Sequence, residues 1–134
     1  MLQPQLGLIL LFVEDIKKSE SFYENLLGIS PVQTSPTFVT FALKNGVMLG
    51  LLSRYTAEPG VEAKPGVQEI GFPADNVDAV YESLSKKQIP IAQKPTDMDF
   101  GRTFLMLDPD GYRIRVYHLR EQLESAMYRN DLKV

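Results

Sequence analysis

Apolar residues run without a break from position 6 to 13 (LGLILLFV), the pattern of a strand buried on both faces. After Glu14-Asp15 the spacing changes. Ile16, Phe22, Tyr23, Leu26 and Leu27 fall on one helical stripe, and Gly28 is a good C-terminal stop. Residues 37–43 (TFVTFAL) and 47–53 (VMLGLLS) predict two strands joined by Asn45-Gly46, a strong hairpin signal. The next stretch, to residue 66, is polar and carries two Pro-Gly pairs, so 54–66 reads as a linker.

The plan then starts again. Residues 67–73 (VQEIGFP) predict a strand. Asp75-Asn76 precede VDAVYESLSKKQI, a helix with Val77, Val80, Tyr81 and Leu84 on one side. Residues 102–107 (RTFLML) and 112–118 (YRIRVYH) are strands around the turn Asp108-Pro109-Asp110-Gly111. The helical segments superpose with an offset of about 61–62 residues, and NGVMLGLL matches DGYRIRVY with an offset of 65. Each half is therefore one supersecondary unit: strand, helix, then a meander ending in a glycine-bearing turn. Module one spans about 6–53 and module two about 67–118. Two such modules make one domain over 1–134, with a curved sheet and the helices outside. Beyond it Leu119, Leu123 and Met127 recur at every fourth position, predicting a C-terminal helix over about 119–130. That helix packs either on its own domain or against a second copy.

Composition narrows the function. The length of 134 residues suits one domain, and 44% hydrophobic with 23% charged residues is ordinary for a soluble protein. A net charge of −3 argues against nucleic acid, which selects a basic face. With no cysteine, disulfides, zinc–thiolate sites and a cysteine nucleophile are excluded. The N-terminal apolar run is too short to cross a bilayer and lacks the basic flank of a signal peptide, so a cytoplasmic location with no membrane partner is expected. No G-x-S-x-G motif and no Ser–His pairing suggests metal-free catalysis.

Two strand–helix–meander modules, the D-P-D-G-x-x-I-x-V close and "VED…SFY" at the first helix together resemble the vicinal oxygen chelate superfamily. That group includes glyoxalase I, extradiol dioxygenases, fosfomycin-resistance enzymes and bleomycin-binding proteins. The resemblance runs from about residue 6 to 118. "DFGRTFLMLDPDGYRIRV" looks most like a subgroup that includes phenazine-antibiotic-resistance proteins. The resemblance implies an α+β fold in which two βαβββ modules form a cup-shaped, eight-stranded mixed sheet with helices outside. It also implies a homodimer.

Enzymes of that superfamily hold a divalent metal with His, Glu or Gln at matching places in both modules. One ligand lies seven residues before the acidic or amide residue that opens the helix, and another four after the turn glycine. In this sequence those positions are Leu8, Gly50, Glu69 and Arg115. Leu8 and Gly50 offer no side-chain donor, and Arg115 is a permanent cation. Only Glu69 suits a metal, so neither a metal site nor a metal cofactor is expected. The single histidine, His118, ends the last strand and reads as a surface residue.

Alternation assigns the faces. Ile114 and Val116 share one face of the last strand, so Arg113, Arg115 and Tyr117 point the other way. On the strand containing QEIGF, Ile70 and Phe72 take the helix side, leaving Glu69 and Gly71 inward. Glu69 and Arg115 are therefore expected to form an ion pair in place of a metal. The pair is expected to be buried, so that breaking one partner costs about 3–5 kcal/mol. Gly50 is expected to leave space, with Leu52, Leu8 and Phe41 as apolar wall. The long approach to residue 102, including TDMDFG, reads as a pocket lip carrying Phe100 and Arg102. Pattern alone does not resolve which face Thr103–Leu107 present.

The leading expectation is a metal-free binder of a small planar aromatic compound, sequestering it as the resistance relatives do. Relatives that bind phenazines stack the drug on a tryptophan. This chain has none, and Leu52 stands in that region. A metal-dependent glyoxalase-type lyase or dioxygenase is the alternative, and a ligand-free dimer module the third reading.

Overall fold

The computed structural model describes residues 3–121; the C-terminal helix expected over about 119–130 lies outside them, except that Leu119 closes the last strand. The chain divides into two compact units, one holding the residues through Val67 with Pro109–Gly111, the other Gln68–Asp108 and the residues from Tyr112 onward.

The first unit is β1 (Leu8–Val13), α1 (Ile16–Leu27), β2 (Gln33–Thr34), β3 (Phe38–Ala42) and β4 (Met48–Ser53). Asp15 caps α1 by accepting from the Lys18 N–H at 3.1 Å. Gly28 ends it in the left-handed region at φ 69°, its N–H reaching the Glu24 carbonyl. Asn45 and Gly46 both take positive φ, as their hairpin signal requires. The sheet order is β1-β4-β3-β2, with β1 parallel to β4 and the other pairs antiparallel. Leu11, Val13, Val39, Phe41, Leu49 and Leu51 are buried in this unit's core, as is Tyr23 of α1.

The second unit repeats the plan as β5 (Glu69–Pro73), α2 (Val77–Ser85), β6 (Ile91–Met98), β7 (Gly101–Leu107) and β8 (Arg113–Leu119), in sheet order β5-β8-β7-β6. The Asn76 side chain caps α2 by accepting from the Ala79 N–H at 3.0 Å. Phe104, Met106, Ile114 and Val116 fill this core, with Tyr81 edge-on to Phe104 at 5.3 Å. The eight expected strands are thus present as two four-stranded mixed sheets.

The approach to residue 102 is the main departure from expectation. Instead of a lip loop, residues 91–98 form the long strand β6, and only Asp99-Phe100 turn. Pro95 hid this strand. It is tolerated because β6 is the edge strand and the register shifts between Gln93 and Thr96, where a missing N–H costs no ladder bond. Helix α2 is also shorter than the segment VDAVYESLSKKQI: it ends at Ser85, just past its apolar stripe, and Gln88 turns at φ 61° before the buried Ile89.

Candidate functional site

Cross-strand register fixes which residues share the Arg115 face of the second sheet. Across the Asp108–Gly111 turn, Leu105 pairs with Arg115, Thr103 with Tyr117 and Leu107 with Arg113. Directly paired residues share a face. Thr103, Leu105 and Leu107 therefore stand with Arg113, Arg115 and Tyr117, which settles the parity that pattern left open. Glu69 and Gly71 of β5 join them as the direct register partners of Arg113 and Arg115.

Arg115 is the centre of this face. Its Nε donates to Glu69 Oε2 at 2.7 Å and its Nη2 to Oε1 at 3.3 Å, a two-pronged guanidinium–carboxylate pair. Its Nη1 donates to Thr103 Oγ1 at 3.2 Å, and that hydroxyl donates to the Val116 carbonyl at 2.7 Å. Its guanidinium carbon lies 5.7 Å from the Phe100 ring centroid, within cation–π range. Arg113 bridges the same carboxylate, Nε to Oε1 at 2.8 Å. Hydrogen bonding from Arg115 and the charge of both arginines hold the Glu69 carboxyl below its usual range, against a smaller opposing effect of burial. The Arg115 side chain is 13% exposed, Glu69 35% and Arg113 52%, so the network passes from half-buried to solvent. Tyr117 lies over Gly71, where an added Cβ would come within 3.0 Å of its ring.

In the first unit, Leu8, Gly50 and Leu52 share one face with Leu10, Phe38 and Thr40. The space expected above Gly50 is filled: a Cβ there would lie 2.8 Å from Leu10 Cδ1 and 3.2 Å from the Phe38 ring. The glycine serves close approach rather than an opening. Leu8 is half exposed.

Two expected site residues lie elsewhere. Phe41 pairs with Leu49, not Gly50, so it points to the opposite face and is fully buried in the core. Strand parity, not residue type, decides this. Arg102 pairs with His118 on the helix side of β7, so it belongs to a scaffold clamp. Its Nε and Nη2 donate to Asp78 of α2 at 2.7 and 2.9 Å, and its Nη1 donates to Asp97 of β6 at 3.1 Å. Asp78 is held below the usual carboxylate range by this hydrogen bonding. Thr103 and Arg113 were missing from the expected site. The hairpin register would have found Thr103, and Arg113 already shared the face by alternation.

The donor set does not fit a metal. On the face that carries Glu69 and Arg115, Glu69 is the carboxylate, and two guanidinium groups engage it. Among the described residues no group of three or more His, Cys, Asp or Glu lies together.

A repeated βαβββ plan is that of the glyoxalase-like fold class. The chain belongs to the glyoxalase/bleomycin resistance protein/dioxygenase superfamily, whose match covers residues 5–116. It is 32% identical over 116 residues to the phenazine antibiotic resistance protein EhpR of Enterobacter agglomerans, covering 82% of this chain and 88% of that one. Protein ATC0852 of Agrobacterium tumefaciens, a solved structure, is 37% identical with a TM-score of 0.74, over 88% of this chain and 99% of that one. A glyoxalase/bleomycin resistance protein/dioxygenase from Nocardioides shares the fold at TM-score 0.76 and 23% identity, over 90% of this chain and 87% of that one. No helix among the described residues is long and apolar enough to cross a membrane.

Proposed function

We propose that this protein is a metal-free binder of a small planar aromatic compound, working by sequestration as a cytoplasmic homodimer. The observation that carries the reading is the Glu69–Arg115 pair at positions where relatives hold a metal, with Phe100 against the guanidinium. A flat ring finds Phe100 and Tyr117 as stacking partners and Arg115 as a polar anchor, the mixture that small-molecule sites use. Similarity to a phenazine resistance protein supports the ligand class.

A thermal-shift experiment on chelator-treated protein tests this. Phenazines and other planar aromatics are compared with Ni²⁺, Zn²⁺, Mn²⁺, Fe²⁺ and Mg²⁺. A ligand at a hundred times its Kd adds about 2.7 kcal/mol, which is several degrees for a domain of this size. A shift with aromatics alone is expected; a shift with metals alone would replace this reading with a glyoxalase-type enzyme. Light scattering should give roughly twice the 15.1 kDa chain mass; a 15.1 kDa species at high concentration would remove the dimer.

A further inference from the structure

The charges on the Arg115 face of the second sheet do not balance. Glu69 is the carboxylate shared by two guanidinium groups, and its depressed pKa keeps it ionised at neutral pH. The cluster therefore carries one excess positive charge. Its donors are also in excess. Arg115 commits three of its five N–H groups, two to Glu69 and one to Thr103. Arg113 meets Glu69 through Nε and is half exposed, so an incoming group can reach its outer fork. Aromatic surface adjoins this charge, since Phe100 lies on Arg115 and Tyr117 stands two residues along the same strand face.

We infer that the face selects aromatic acids: a ligand carboxylate docks on the outer fork of Arg113 and the remaining Arg115 donors, while Phe100 and Tyr117 take the ring. This rests on the aromatic-binding reading and adds the charge. A carboxylate completes the neutralisation that Glu69 leaves half done and gains charge-assisted hydrogen bonds about twice as strong as neutral ones. Arg113 becomes a specificity residue and Arg115, locked by Glu69 and Thr103, the fixed half of the fork.

Calorimetric or fluorescence titration with matched carboxylate and carboxamide derivatives of phenazine, acridine and naphthalene tests the inference. At least one acid should bind tenfold or more tighter than its amide in 50 mM salt, with the gap narrowing at 500 mM as exposed charges are screened. Arg113→Met should lower affinity for that acid about tenfold and for the amide much less, so that the acid–amide gap closes, with Arg113→Lys keeping part of it. Circular dichroism checks that both variants fold, which the half-exposed position favours. If acid and amide of the same ring bind equally, the acid inference is overturned while the aromatic reading stands. If no compound binds at millimolar concentration, both fall.

Discussion

Replacing Arg115 with Met removes the two-pronged bond to Glu69, the bond to Thr103 and the Phe100 contact, while keeping much of the aliphatic stem. Two unit charges about 4 Å apart attract by about 4 kcal/mol at an effective dielectric of 20, before desolvation is subtracted. Two features shrink the net cost. Glu69 is 35% exposed, so water solvates part of its charge. Its carboxylate also keeps Arg113 at 2.8 Å, so it is not stranded. We expect a loss of about 1–2 kcal/mol instead of the 3–5 that follows from cutting a fully buried pair. That corresponds to roughly 3–8 °C in Tm for a domain of this size. Urea unfolding of the wild type, Arg115→Met, Glu69→Gln and the double variant closes a cycle whose coupling should be about 1 kcal/mol. Glu69 also sets the pH dependence. Its folded pKa lies below the ordinary value of 4.5, so its contribution is full above 4.5 and fades as pH falls through the folded value. The stability gap between wild type and Glu69→Gln should therefore narrow below about pH 4.5 and stay flat from pH 6 to 8. A coupling near zero, or a gap that widens in acid, would refute the reasoning.

Other outcomes follow from single residues. Thr40 is 5% exposed and its hydroxyl has no hydrogen-bond partner. Thr40→Val keeps the β-branched shape and should hold or raise stability, by about 1 kcal/mol in urea unfolding; a loss above that would mean the hydroxyl is engaged. Asp15→Ala removes the cap of α1 and should cost about 1 kcal/mol, restored in part by Asp15→Ser. Gly101 sits at φ 147°, where an added Cβ would run into the His118 carbonyl, so Gly101→Ala should cost about 3 kcal/mol or more and loosen amide-exchange protection at the far end of β7 and β8.

What the sequence revealed and concealed divides along physical lines. The Gly28 stop, both glycine-bearing turns and the faces of β8 were legible because each is decided within a few residues. Glu69 and Arg115 were also legible, because alternation and the internal repeat together put both on one face. Phe41 and Arg102 were not. Each sits on a strand whose inward parity depends on its partner's register, and both residue types suit a pocket as well as their true environments. Strand β6 was hidden for a related reason. Its Gln, Lys, Thr and Asp are normal for an edge strand, and its proline is permitted only where the sheet has no further neighbour. Edge position belongs to the topology, which no short window contains.

The same face explains why one substitution would not turn this chain into a metal enzyme. Arg115→Glu would set a second carboxylate near Glu69, but Arg113 at 2.8 Å from Glu69 would stay as a competing cation. Leu8 and Gly50 would still supply no side-chain donor, and the room above Gly50 is already taken by Leu10 and Phe38. A Lewis-acid centre needs several converging N or O donors, and two carboxylates with a guanidinium between them do not supply that set. Three of the five N–H groups of Arg115 already have acceptors in Glu69 and Thr103, and the guanidinium lies beside the Phe100 ring. On the proposed reading, that guanidinium fork is what a flat anion would meet. Arg115→Glu should accordingly abolish aromatic-acid binding and gain no Ni²⁺ or Zn²⁺ stabilisation in a thermal-shift assay. A metal-dependent rise of more than a few degrees in that single variant would overturn this account of the site.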